Sequence, residues 1–133
     1  MKLFAVLCFA LCQLAHAANT PWVCPSALQG TSLTGNLSKT IFTTASAGWY
    51  DVKLQLLPDN TTVGGAATVQ YTWTANGTAR TSTGISVPVA TLNVGNILPV
   101  FSVKADAATP VNLSVTSVLG TYEYAVCYRS SNF

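Results

Sequence analysis

The sequence predicts an all-β fold: one antiparallel β-sandwich of about seven or eight short strands, with a small β-barrel as the alternative. Three observations carry this. Short runs such as Val69-Gln70-Tyr71-Thr72-Trp73-Thr74 alternate apolar and polar residues, as half-buried strands do. Turn-forming residues punctuate the chain every eight to twelve residues or so, the rhythm of sandwiches and barrels. No stretch keeps a helical period.

The chain opens with a different signal. Lys2 supplies a positive charge, residues 3–14 are apolar except Gln13, and Ala15-His16-Ala17 is a small-residue cleavage pattern. That order is a secretory signal peptide, and the run is shorter than the roughly 20 apolar residues a membrane span needs. The expected organisation is a signal peptide over residues 1–17 and a single sandwich domain over residues 18–133. Localisation is expected to be secreted and extracellular, with no membrane association after cleavage. Cleavage removes Cys8, Cys12 and His16, the only histidine.

The elements follow in order. Residues 19–29 form an extended segment, because Pro21 and Pro25 disfavour helix around Trp22 and Cys24. A first strand is expected over residues 40–44. Residues 49–57 make a clearer one, with Tyr50, Val52, Leu54 and Leu56 on one face and Trp49, Asp51, Lys53 and Gln55 on the other. Pro58-Asp59-Asn60 reads as a turn, and Gly64-Gly65 as a break. Residues 68–74 run into Asn76-Gly77, a strong hairpin signal. The return strand, 78–83, is mostly Thr and Ser, an exposed edge guarded by Arg80. Strands are expected over 85–94, where Pro88 argues against a central position, and over 97–105. The last two are 111–119 and 122–129. In the final strand Tyr122, Tyr124, Val126 and Tyr128 share one face, and Cys127 lies on the other.

Two cysteines left in an exported domain pair, so Cys24 and Cys127 are expected to form a disulfide that ties the N-terminal segment to the last strand. Four N-glycosylation acceptors stand at Asn36, Asn60, Asn76 and Asn112. The first three lie beside turn residues, and Asn112 is out of phase with Val111, Leu113 and Val115, on the polar side of its strand. Attached glycans would help solubilise a chain in which only 8% of residues are charged.

The exported chain lacks the parts of several chemistries. Without histidine it has no imidazole for a Ser-His-Asp or Cys-His arrangement. Cysteines held in a disulfide leave no zinc-type ligand set, and the carboxylates Asp51, Asp59, Asp106 and Glu123 are scattered. The side-chain charges nearly balance, so no basic field attracts nucleic acid. No catalytic residues, metal or cofactor are expected, and the chain is read as a non-enzyme. Asp51 with Glu123 is the carboxylate pair a glycosidase would need, and an extracellular hydrolase ranks last among the readings.

Aromatic residues remain. Tyr50, Tyr71, Trp73 and a tyrosine row lie in phase with Val and Leu and belong to the core. Trp49 falls in phase with Asp51 and Lys53, and Trp22 sits in the Pro-flanked segment, so these two are the candidate ligand-binding residues. The expected function is a secreted, N-glycosylated binding or structural/assembly module. The alternative is a carbohydrate-binding, lectin-like module that uses exposed Trp. Expected partners are an extracellular protein or a glycan, with self-association through strand edges.

Overall fold

The computed structural model of the chain describes residues 20–60, 66–88, 96–117 and 121–131, by backbone alone at 31–34, 58–60, 88, 96 and 117. The expected signal peptide, the Gly64-Gly65 break and the ends of two expected strands (89–94 and 118–119) lie outside these residues. In chain order the strands are β1 (Gln29–Thr34), β2 (Leu37–Thr43), β3 (Gly48–Asn60), β4 (Ala66–Ala75), β5 (Thr78–Thr81), β6 (Ile85–Pro88), β7 (Asn96–Ile97), β8 (Phe101–Ala105), β9 (Pro110–Ser117) and β10 (Thr121–Ser131).

They form two antiparallel sheets packed face to face, a β-sandwich. The first sheet runs β1-β10-β3, with β7 and β8 both paired to the far side of β3. The second runs β2-β9-β4, with β5 and β6 sharing the far side of β4. The inner faces carry the alternation read from the sequence. Val52, Leu54 and Leu56 of β3 and Tyr122, Tyr124 and Val126 of β10 are buried, and they face Val69 and Tyr71 of β4 and Val111, Leu113 and Val115 of β9. Each such aliphatic side chain contributes about 1.5–3 kcal/mol by leaving water. Aromatics from edge strands close the two flanks. Phe42 of β2 stacks on Tyr128, with ring centroids 4.5 Å apart, and Phe101 of β8 stacks on Tyr71 at 4.7 Å.

Local chemistry explains the irregularities. Asn76 and Gly77 both have positive φ (53° and 68°), as a two-residue hairpin between β4 and β5 requires. Between β5 and β6 the edge is interrupted at Ser82. Its N–H donates to the Tyr71 carbonyl, and its Oγ accepts from the Tyr71 N–H, so a side chain replaces the missing ladder acceptor. β2 carries an irregularity between Thr40 and Phe42, and Ile41 and Phe42 are both buried.

Four expectations change. Within the segment expected to be extended over 19–29, Ser26–Leu28 form a 3-10 turn. β1 precedes the strand expected to be first. Pro58-Asp59-Asn60 continues β3, because Pro58 and Asn60 pair with Tyr122 and Thr121 of β10. The single strand expected over 97–105 is two, β7 and β8, separated by Leu98-Pro99-Val100. Pro99 has no N–H to donate to a ladder, while Leu98 is buried and donates its N–H to the Leu54 carbonyl at 3.0 Å.

Candidate functional site: the outer face of the first sheet

The chain before β1 runs antiparallel to the second half of β10. Val23 and Tyr128 exchange both main-chain hydrogen bonds, at 2.8 and 2.9 Å. Their neighbours on either side are then non-hydrogen-bonded pairs, in which side chains approach most closely. One such pair is Cys24 with Cys127, joined by a disulfide with the Cα atoms 4.3 Å apart. The register places Trp22 opposite Arg129 on the other side, and the guanidinium lies over the indole, 4.7 Å from its centroid. The disulfide therefore fixes Trp22 as well as the segment that bears it.

A polar row continues from Arg129 across the sheet. Its Nε–H donates to Asp51 Oδ2 at 3.0 Å, and Ser102 Oγ donates to Asp51 Oδ1 at 2.7 Å. Asp51 is the register partner of Arg129 in β10 and of Ser102 in β8. Trp22, Arg129, Asp51 and Ser102 thus form one line, one residue per strand. Asp51 is on the outer face, as expected, yet only 4% exposed. Charge-assisted bonds of this kind hold a buried carboxylate that would otherwise be costly.

Trp49 stands two residues along β3 on the same face and is 42% exposed. Its register partners are Ser131 in β10 and Lys104 in β8. Lys53, two residues beyond Asp51 in the other direction, lies opposite Cys127. Lys53 and Lys104 are both exposed. Both tryptophans singled out in the sequence therefore share one face. Sequence reasoning missed the Arg129–Asp51 pair between them. A signal was available: Trp22 is two residues before Cys24 and Arg129 two after Cys127, so a cross-strand disulfide between antiparallel segments puts them opposite each other.

Two concavities lie beside and on this face. A groove of about 460 Å³ opens between the N-terminal segment and β2, over Val23, Phe42, Tyr50 and Tyr128. A smaller hollow of about 190 Å³ lies between Gln29, Gln55, Leu57 and Glu123. Asp51 and Glu123 are not brought together. Glu123 lies six positions along β10 from Arg129, the partner of Asp51, which is about 20 Å at 3.3 Å per residue. That is well beyond the separation of a glycosidase pair. Among the described residues no group of three or more His, Cys, Asp or Glu could hold a metal, and no helix is long and apolar enough to cross a membrane.

Of the glycan acceptors, Asn36 and Asn76 are exposed at chain turns. Asn112 is half-buried in β9, where its Oδ1 accepts from Thr40 Oγ1 at 2.8 Å and its Nδ2 donates to Thr72 Oγ1 at 3.3 Å. Asn60 is the last residue of β3, and its side chain is outside the described set.

No protein-family model matches the chain, and no curated protein matches it. Among solved structures it is similar to a carbohydrate-binding module of lichenase 5A from Cellvibrio mixtus, determined in complex with cellotriose. The identity is 14%, covering 86% of this chain and 89% of that one, with a TM-score of 0.44. A likeness this distant carries nothing about ligand or role.

Proposed function

We propose that the protein acts outside the cell as a non-catalytic binding module, and that it binds through the outer face of the first sheet. The observation that carries this is the placement of Trp22 and Trp49 on one face, with Trp22 held by the disulfide and by Arg129. Saccharide is the ligand class such a face suits best. An indole offers a broad apolar surface with a polar edge, which matches the apolar face and hydroxyl rim of a sugar ring. Export is supported by the leader pattern of residues 1–17 and by a disulfide, a bond that persists in oxidising compartments.

A glycan array probed with the cleaved, glycosylated protein tests the binding reading. Binding that is lost in Trp22→Ala and Trp49→Ala, with circular dichroism unchanged, is the expected result. An array without hits at high protein concentration would remove saccharide as the ligand. We further propose cleavage after Ala17 and glycans on at least two of Asn36, Asn60, Asn76 and Asn112. Intact mass before and after glycosidase treatment reads both directly.

A further inference from the structure

The charges around the two tryptophans narrow the ligand further. Three cations occupy this part of the outer face: Lys53, Lys104 and Arg129. One carboxylate accompanies them in this row, Asp51, and it is already bonded to Arg129 and Ser102; a second, Asp106 just beyond β8, interacts with Lys104 and is bonded to the Asn76 and Gly77 N–H groups. The Arg129–Asp51 pair neutralises itself and Asp106 offsets part of the Lys104 charge, so Lys53 and Lys104 together leave a net positive field. Lys104 is the cross-strand neighbour of Trp49, the most exposed aromatic of the face. Glu123 belongs to the far end of the sheet, opposite Leu57. An aromatic platform with an ammonium group beside it accepts a ring and an anion at once.

We infer that the face around Trp49 binds acidic saccharides, meaning carboxylated or sulfated chains, with the sugar ring on the indole and the anionic group on Lys104 and Lys53. This rests on the saccharide reading above and adds the charge of the ligand. Lys53 lies four residues along β3 from Trp49, so the two lysines are about 14 Å apart at Cα. That span selects an oligosaccharide over a single sugar.

The test is titration calorimetry of the glycosylated protein with a uronate oligomer, a sulfated oligomer and neutral cello-oligomers. Wild type should prefer one of the anionic ligands, and raising salt from about 0.05 to about 0.5 M should weaken that binding. Lys53→Gln/Lys104→Gln should lose it about tenfold or more, and Trp49→Ala should abolish it while Trp49→Tyr restores part. Trp49-dependent binding of neutral oligomers that is indifferent to the lysine changes would overturn this inference and leave the saccharide reading standing. Absence of binding to every saccharide would overturn both. Equal binding of inorganic polyphosphate that survives Trp49→Ala would also overturn it, as simple collection of polyanions. Both lysines are exposed, and matching thermal melts establish that the variants fold.

Discussion

Tyr71 is the largest of the fully buried side chains, and its hydroxyl has no hydrogen-bond partner among the described residues. Burial pushes the phenol far above its ordinary pKa, so the hydroxyl stays neutral. An unpaired buried hydroxyl costs about 1–3 kcal/mol. Tyr71→Phe keeps the stack on Phe101 and removes the orphan, so urea unfolding should find it as stable as wild type or about 1 kcal/mol more so. Gly30 behaves oppositely. It pairs with Tyr124 across β1 and β10, and a Cβ there would lie 2.4 Å from that ring. Because Tyr124 is buried, the ring cannot swing clear, and Gly30→Ala should cost about 1–3 kcal/mol in the same assay. Asp106 is a different kind of control point. Its carboxylate accepts the N–H groups of Gly77 (2.7 Å) and Asn76 (2.8 Å), and these bonds, aided by Lys104, hold its pKa below the usual carboxylate value. A depressed folded pKa stabilises the fold fully above the unfolded value, about 4, and that contribution fades as pH falls through the folded value. Asp106→Asn should therefore be less stable than wild type at neutral pH, and the gap should close in acid. A gap that is constant from neutral pH to about pH 2 would mean the carboxylate charge is not what holds the turn.

The elements differ in how openly the sequence declared them. β4, β9, β10 and residues 49–56 of β3 are legible because they alternate and bury one face; the hairpin is legible because Asn-Gly suits positive φ. β1 is not, since Gln29-Gly30-Thr31-Ser32 has no alternation and becomes a strand only by pairing with β10. Pro58-Asp59-Asn60 looked like a turn for a related reason: turn residues are tolerated where a long partner strand imposes extension. At the candidate site, the outward phase of Trp49 could be read locally, whereas the cover over Asp51 comes from the other end of the chain. Edge strands show how association is resisted. Among the described residues β2 is bordered on one side only, by β9, and it carries the exposed Lys39 opposite the buried Leu113, a charge in the inward phase. β5 likewise carries Arg80 opposite Trp73. Charges of this kind blunt edge-to-edge pairing. Lys39→Val with Arg80→Val should raise light scattering at high concentration while the melting temperature changes little. A persistent monomer would show that the charges are not the barrier.

At the scale of the molecule, the disulfide closes a loop spanning 103 positions. The chain-entropy model assigns a loop of this length about 4.7 kcal/mol, and native disulfides of small exported domains typically contribute about 2–5 kcal/mol. Cys24→Ser/Cys127→Ser should lower stability within that range. The loss should appear first as faster hydrogen exchange at Val23 and Tyr128, whose mutual bonds lie next to the staple. Unchanged protection there would show that the N-terminal segment holds by its other contacts. The same arrangement has a practical side. Thr20 Oγ1 hydrogen-bonds the carbonyl of Ser130, so the first and last stretches of the described residues touch. Residues 20–131 spliced into a surface loop of a host protein should then need almost no spacer, and a thermal melt of the fusion checks that they fold there. A purification tag at either stretch, by contrast, would sit next to Trp22 and crowd any assay of that face.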